Sequence, residues 1–339
     1  MKTVKLNYVG VFDGFNPKQN LVYDILKGNG YDVQISDDPD YIICDVFGEN
    51  PYEWCKYPQV RIMYNGENFI PDLNLIDYAI CTYPISLLDR CFHLPACVWP
   101  RSHWLSLAHR DRAYPPEFVS RKPYFANFIA SHESENGIRG DFFRKLCQYK
   151  RVESPGTYLN NMPNGFTVDW TDESKTEFQR KCKFTLCFES TKSEGFVTEK
   201  LMDAFYADTI PVYFGSDTAK DIFNPNAFIH CSDYDSFDAV IEKIKELDQN
   251  DEQYLEMLRQ PVLVDPDYPE RLERELNQFI CHIFDQPLEQ AYRRSRVFHP
   301  KRYNDYLTRA VDSEQLTMKN LTARMGQKVL NRLGHPGRK

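Results

Sequence analysis

The residues best suited to chemistry lie in one stretch of the chain, 183–216. Short apolar runs at its two ends predict buried strands, and Gly195 falls in the loop that follows the first of them. Thr198 stands where an N-cap residue would begin a helix, which places Glu199 and Lys200 in the first turn. Because a helix N-terminus presents free N–H groups and Lys200 adds a full charge, this unit predicts a phosphate-binding site. The alternative is a solvated first turn of an ordinary helix.

Four blocks of sequence carry a resemblance to a known family. They are Tyr64-Asn-Gly-Glu-Asn68 with Asn74-Leu-Ile-Asp-Tyr-Ala79, Phe125-Ala-Asn-Phe-Ile-Ala-Ser131 with Ile138-Arg139, Phe188-Glu-Ser-Thr-Lys-Ser-Glu-Gly-Phe-Val-Thr-Glu-Lys200 with Ile210-Pro-Val-Tyr-Phe-Gly215, and Tyr254-Leu-Glu-Met-Leu258. In this order they resemble the α1,3/4-fucosyltransferases of glycosyltransferase family 10. The third block is the specific one, whereas the last would carry no weight alone.

The resemblance implies an α/β protein of the GT-B type, with two Rossmann-type parallel-sheet domains that face a central cleft. It also implies inverting transfer of L-fucose from GDP-fucose to a hydroxyl of an oligosaccharide acceptor, in α1,3 or α1,4 linkage, with an N-acetylglucosamine-type acceptor expected. We expect residues 1–120 to form the acceptor-side domain and residues 121–290 the GDP-sugar-binding domain.

Glu67 is the candidate general base. It follows a predicted strand in a turn-like Asn65-Gly66 context, which would expose its carboxylate at the carboxyl end of that strand. The family's base lies in the same Gly-Glu-Asn context. An inverting reaction needs one such carboxylate to accept the proton of the acceptor hydroxyl. A surface glutamate in a loop is the competing interpretation.

The donor-binding candidates follow from the resemblance. The family places a diphosphate-binding arginine at the position of Arg139, and a guanidinium matches phosphate oxygens. Lys200 would neutralise the same diphosphate, and Glu199 would bind the ribose hydroxyls. Ser190 and Phe196 stand where the family commonly has asparagine and tyrosine, so donor contacts are expected to differ here.

Two alternatives stay open at this level. Ser190 and Phe196 leave room for transfer of another GDP-linked sugar. The chain could also be a non-catalytic protein that binds a glycan or a nucleotide sugar, although pure binding needs no base such as Glu67.

No cofactor or metal is expected. Three Asp-x-Asp triplets, which begin at Asp38, Asp233 and Asp265, could hold a divalent ion, but such triplets arise by chance in a chain with 49 acidic residues. Arg139 and Lys200 make a metal unnecessary at the leaving group.

Composition narrows the class of protein. Hydrophobic residues make up 42% and charged residues 27% of the 339 residues, as in ordinary globular proteins. The net charge of −8 argues against a nucleic-acid partner. The ten cysteines form no CxxC pair, and no run of about twenty apolar residues occurs. We therefore expect a cytoplasmic protein with reduced thiols, and the resemblance implies an enzyme of the soluble bacterial type.

The pattern of elements predicts two parallel sheets. In the first half we expect a helix from an Asn16 cap, with Pro17 first, to Gly28. The predicted strands are 4–12, 31–36, 41–45, 60–64, 78–81, 124–130 and 227–230, in addition to the two of the signature. The other predicted helices are 140–146, 236–247, 252–259 and 269–284, and residues 97–123 are expected to be irregular.

Residues 291–339 are expected to form a basic, amphipathic tail. No acidic residue follows Glu314, and Leu321, Met325 and Val329 recur at four-residue spacing among lysines and arginines. Such a helix could lie on an anionic membrane surface, where it would hold the protein at the inner face of the membrane. A helix packed on the body, or a partly disordered tail, is the alternative.

Overall fold

Two parallel sheets organise the chain in this computed structural model, which describes residues 2–48, 50, 52–98, 101–108, 110–134, 136–169 and 173–313. The first sheet has six strands in the order β2-β1-β3-β4-β5-β6, and every neighbouring pair is parallel. Its strands are β1 (Thr3–Val9), β2 (Asp32–Ile35), β3 (Tyr41–Cys44), β4 (Val60–Asn65), β5 (Tyr78–Cys81) and β6 (Cys91–His93). The five strands predicted for this half of the chain are confirmed as β1 to β5, whereas β6 was not predicted.

The second sheet has five strands in the order β11-β10-β9-β7-β8, again all parallel. Its strands are β7 (Tyr124–Phe128), β8 (Val152–Glu153), β9 (Cys182–Phe188), β10 (Ile210–Phe214) and β11 (Ile229–His230). All seven residues of β9 are buried, as expected for a central strand with both faces covered. The fold class predicted from the sequence, with two parallel-sheet domains, is confirmed.

Helices cover both sheets. They are α1 (Leu21–Gly28), α2 (Arg101–Ala108), α3 (Ile138–Leu146), α4 (Ser174–Gln179), α5 (Glu199–Tyr206), α6 (Ala219–Ile222), α7 (Phe237–Gln249), α8 (Asp251–Leu258), α9 (Tyr268–Asp285), α10 (Leu288–Ala291) and α11 (298–313). Ser236 caps α7 and Asn250 caps α8, each through a side-chain oxygen that accepts a backbone N–H.

The start of α1 corrects one prediction. The helix begins at Leu21 and not at Pro17, because the Asn20 side chain accepts the N–H of Tyr23 at 3.1 Å and caps it. Asn16 instead forms a local turn in which its side chain accepts the N–H of Lys18 at 3.0 Å. Asparagine serves both turns and caps, so an Asn-Pro pair does not by itself mark the start of a helix.

Residues 97–123 are more regular than predicted. Helix α2 lies within them and buries Trp104 and Leu107, and the stretch Pro116–Arg121 forms a 3-10 helix. The indole of Trp104 meets the ring of Tyr268 edge-on at 5.6 Å. Packing against α9 therefore holds a segment whose Trp, His, Arg and Pro content hides a helical pattern.

Helix α9 returns to the first sheet. The ring of Phe284 packs against that of Tyr41 at 4.7 Å, and the hydroxyl of Tyr31 donates to Asp285 at 2.6 Å. One hydrophobic core consequently runs from β1 and β3 through α5 to α9 and joins the two sheets. This shared core fixes the carboxyl ends of both sheets in one arrangement.

The beginning of the predicted tail docks on the first domain. The guanidinium of Arg294 pairs with the buried Asp77, and the side chains of Asn304 and Thr308 both donate to the carbonyl of Cys55 at 3.2 Å. Residues 314–339, which carry the basic amphipathic pattern, lie outside the described residues, so the membrane contact stays a prediction.

Candidate active site

The predicted helix start in the signature is confirmed. Helix α5 begins at Glu199, and Thr198 takes the N-cap position with an extended backbone. The Thr198 side chain, however, makes no capping bond to the helix. Its hydroxyl faces Glu189, the first residue after β9, and this places α5 directly beside the carboxyl end of the strand.

Glu189 organises this corner of the site. Its side chain is fully buried, and one carboxylate oxygen accepts the N–H of Thr198 at 2.9 Å while the other accepts the ammonium of Lys200 at 3.0 Å. Lys200 also donates to the hydroxyl of Thr198 at 2.7 Å. A buried carboxylate with this many donors holds its cation in one orientation.

The charges of the first turn are set by one another. Burial opposes the charge of Lys200, but Glu189 and Glu199 outweigh it and raise the pKa of the ammonium. Desolvation opposes the charge of Glu199, but Lys200 and Lys175 outweigh it and lower the pKa of that carboxyl to about 2. Both groups are therefore ionised at neutral pH, with the Lys200 ammonium 3.7 Å from the Glu199 carboxylate.

Arg139 lies on the neighbouring helix, α3, and is buried at 4% exposure. Its guanidinium donates twice to the carbonyl of Phe188, at 2.8 and 3.1 Å, and once to the carbonyl of His132 at 3.0 Å. These three bonds leave two of its five N–H groups for other partners. The carboxylate of Glu133 accepts the N–H of Gly140, so α3 supplies the site with a side chain and not with a free N-terminus.

The two predicted diphosphate ligands come together. The positive charge of Arg139 opposes the charge on Lys200, but it is the smallest of the influences on Lys200, whose pKa stays raised. Burial lowers the pKa of Arg139, and the nearby carboxylates of Glu189 and Glu199 oppose this decrease. Arg139, Glu199 and Lys200 thus share one corner at the carboxyl end of β9.

Ser190 and Phe196 flank the same corner. Ser190 follows Glu189 and is half-buried, whereas Phe196 is buried at 4% exposure. A buried phenylalanine needs no polar partner, so the hydroxyl of the tyrosine common in the family is replaced here by apolar packing.

Glu67 lies at the carboxyl end of β4, as predicted. Its N–H donates to the side chain of Asn65 at 2.5 Å, and its carbonyl accepts the N–H of Phe69 at 2.8 Å, which closes a tight turn after the strand. The residue is exposed. The carboxylate is therefore held out from the sheet edge on a fixed backbone.

Gly195 joins the two halves of the site. Its φ is +78°, and a Cβ atom there would come within 2.6 Å of the Pro84 side chain and of the Thr82 carbonyl oxygen. Thr82 in turn donates its hydroxyl to the carbonyl of Glu67 at 3.2 Å. The signature loop and the loop after β5 consequently meet, and only glycine fits that approach without strain.

Two residues of this site were not singled out from the sequence. Glu189 follows β9 within the signature, and Lys175 on α4 pairs with Asp203 at 2.6 Å and acts on Glu199. For Glu189 a signal was present, since an acidic residue directly after a largely apolar strand must find a cation if it is buried. Lys175 carries no such local signal.

Within the described ranges, no group of three or more His, Cys, Asp or Glu side chains is arranged to hold a metal ion. The ten cysteines all fall in those ranges and are free thiols. In the same ranges no helix is both long and apolar enough to cross a membrane.

Comparison with known proteins gives the class. Residues 119–299 match the model of the glycosyltransferase family 10 (fucosyltransferase) C-terminal region, and residues 6–99 match that of the α-(1,3)-fucosyltransferase FucT N-terminal domain. The chain therefore belongs to glycosyltransferase family 10, the fucosyltransferases.

Individual relatives agree with this assignment. The α-(1,3)-fucosyltransferase FucT of Helicobacter pylori is 31% identical over 280 residues, which cover 71% of this chain and 56% of that protein. The 4-galactosyl-N-acetylglucosaminide 3-α-L-fucosyltransferase 9 of Bos taurus is 34% identical over 139 residues, which cover 40% of this chain and 37% of that protein. The matched part thus spans between a third and just over half of these relatives.

Solved structures resemble the whole arrangement of the two sheets. A crystal structure of an α1,3-fucosyltransferase has a TM-score of 0.71 at 25% identity, over 88% of this chain and 93% of that one. The same enzyme type solved with GDP has a TM-score of 0.67 at 26% identity, over 84% and 91% of the two chains.

Proposed function

We propose that this protein transfers L-fucose from GDP-fucose to a hydroxyl of a glycan acceptor, with inversion at the anomeric carbon. The observation that carries the proposal is the meeting of two loops. Gly195, which leads into the helix of Glu199 and Lys200, touches the loop of Thr82, and Thr82 is bonded to the backbone of Glu67. A candidate base and a set of candidate diphosphate ligands therefore approach one cleft.

In this reaction the Glu67 carboxylate accepts the proton of the acceptor hydroxyl as its oxygen attacks the anomeric carbon of fucose. The bond from that carbon to the β-phosphate oxygen breaks, and GDP leaves with the bonding electrons. One carboxylate suffices, because attack on the face opposite the leaving group needs no covalent enzyme intermediate.

The charge that develops on the diphosphate would be stabilised by Arg139 and Lys200. The two N–H groups that Arg139 has left, and the third N–H of Lys200, are the available donors. Glu199, ionised at neutral pH and partly exposed at the first turn, is suited to accept the ribose hydroxyls. We propose that these donors replace a metal at the leaving group.

The acceptor is proposed from the relatives. Fucosyltransferase 9 of Bos taurus acts, by its name, on a 4-galactosyl-N-acetylglucosaminide at the 3 position. A disaccharide of that type is the first acceptor to test, and whether the linkage is α1,3 or α1,4 follows from analysis of the product.

The experiment is a transfer assay with purified protein, GDP-fucose and this disaccharide, in which NMR of the product gives the linkage and the anomeric configuration. An α-linked fucoside supports the proposal, since the donor is β-linked. Transfer from GDP-mannose but not from GDP-fucose would favour another GDP-linked sugar, for which Ser190 and Phe196 are the motive. Binding of GDP with no glycan product from any donor or acceptor in the panel would favour a non-catalytic role.

A further inference from the structure

Three loops follow adjacent strands at the carboxyl edge of the first sheet. Because β1, β3 and β4 are neighbours, the loops that follow them lie side by side. The loop after β1 carries Phe12, the loop after β3 carries Asp45 and Phe47, and the turn after β4 carries Glu67. Glu67 belongs to the proposed reaction, whereas the other three residues have no part in it so far.

The two phenylalanines are exposed and in contact. Phe12 is 55% exposed and Phe47 is 49% exposed, and their rings meet edge-on with centroids 6.4 Å apart at 86°. Phe12 is also in edge-on contact with Phe15, at 5.6 Å. Exposed rings grouped in this way are typical of interaction sites, because apolar area left in water is unfavourable and is gained back when a partner covers it.

A tight backbone contact fixes these two loops. The N–H of Gly48 donates to the carbonyl of Gly10 at 2.9 Å, and Gly10 has a φ of +74°. A Cβ atom on Gly10 would come within 2.4 Å of the carbonyl oxygen of Asp45. The chain thus uses glycine to bring the two loops together, and the rings are presented by a defined backbone.

Asp45 adds a polar group beside the rings and ties them to the candidate base. One of its carboxylate oxygens accepts the N–H of Val46 at 2.8 Å. Burial raises the pKa of Asp45 to about 7, the bond from Val46 opposes the rise, and the nearby Glu67 carboxylate adds to it. The aromatic pair therefore lies on the side of the first domain that carries Glu67.

We propose that Phe12 and Phe47 form the stacking surface for a pyranose ring of the acceptor, with Asp45 as the hydrogen-bonding partner of its hydroxyls. A glucose- or galactose-type pyranose has one face of C–H groups, which packs on aromatic rings, and a rim of hydroxyls, which bond carboxyl oxygens. The proposal rests on the proposed function for the reaction that follows binding, but it concerns binding of the saccharide itself.

The decisive experiment measures equilibrium binding of the 4-galactosyl-N-acetylglucosaminide disaccharide by calorimetry, in the presence of GDP. Phe12→Ala and Phe47→Ala should each raise the Kd for the disaccharide at least tenfold while the Kd for GDP stays within twofold of wild type. Phe47→Leu, which keeps an apolar side chain without a ring, should weaken saccharide binding, and Phe47→Trp should keep it. Phe166→Ala, which removes a ring of matched 50% exposure that contacts Phe178, is the control and should change neither constant.

Each outcome decides the proposal. Unchanged saccharide affinity in both alanine variants, or an equal loss in Phe166→Ala, would overturn it, as would absence of saccharide binding by the wild type. If binding depends on Phe12 and Phe47 but no fucose is transferred, the acceptor surface stands and the proposed function fails. With transfer present, the two variants should raise the KM for the disaccharide and leave kcat within about threefold.

Discussion

Removal of the charge on Glu189 tests whether this buried carboxylate holds the donor site together. In Glu189→Gln the side chain keeps its shape and can still accept the N–H of Thr198, but Lys200 loses its counter-charge. Breaking a buried ion pair from one side costs about 3–5 kcal/mol. Since the Lys200 side chain is 25% exposed, water recovers part of that cost, and we expect the free energy of unfolding to fall by about 2–3 kcal/mol.

Urea denaturation at neutral pH measures this loss, and Glu194→Gln, in the same loop but exposed, is the matched control. At the same GDP concentration, GDP should stabilise Glu189→Gln more than wild type, because the diphosphate would supply the missing negative charge and so bind the variant more tightly. Adding Lys200→Met to Glu189→Gln should cost less than the two single losses combined. A free energy of unfolding within about 0.5 kcal/mol of wild type, or additive losses, would refute the argument.

Three further predictions concern the same cleft. Arg139→Ala and Lys200→Ala should each weaken GDP binding by about 1–3 kcal/mol through loss of charge-assisted hydrogen bonds, and calorimetry with unchanged affinity in both would move the diphosphate elsewhere. Transfer should persist in excess EDTA, since the two cations are proposed to stabilise the leaving group; loss of activity with rescue by manganese or magnesium would contradict this. Asp45→Asn should raise the free energy of unfolding above wild type by about 1–2 kcal/mol at about pH 8 but not at about pH 4. The pKa of Asp45 is about 7 in the folded protein and 3.8 in its ordinary state, so the proton that stabilises the fold is fully bound below pH 3.8 and is lost as the pH rises through about 7. A stability difference between Asp45→Asn and wild type that does not vary with pH in denaturation experiments would contradict this.

The first turn of α5 shows what the sequence could predict. An N-cap type at Thr198 followed by Glu199 and Lys200 is a local pattern, and the helix starts where that pattern indicates. The parallel sheets were predictable for the same reason, since most of their strands are short apolar runs with their own turn signals, whereas the short strands β6 and β8 were not predicted. The position of Glu67 at the end of β4 followed directly from that strand.

Contacts between distant segments could not be predicted in this way. The pairing of Glu189 with Lys200 depends on how the intervening loop closes, and the contact of Gly195 with the loop after β5 joins residues more than a hundred positions apart. The two hydrogen bonds that Arg139 donates to the carbonyl of Phe188 likewise depend on the packing of α3 beside β9. The predicted start of α1 at Asn16 was wrong for a local reason, because Asn16 forms a turn and the side chain of Asn20 caps the helix.

We propose that Glu67 is the base of a fucosyl transfer whose donor is held from the other domain. Glu67→Gln removes the proton acceptor but keeps the turn, because its bonds to Asn65, Phe69 and Thr82 involve the backbone. The measurement is the rate of fucoside formation from GDP-fucose by wild type and by Glu67→Gln, beside the GDP affinity of both. We predict a rate lower by about 10²–10⁴-fold with GDP affinity unchanged. A variant that turns over at nearly the wild-type rate would show that Glu67 is not the base.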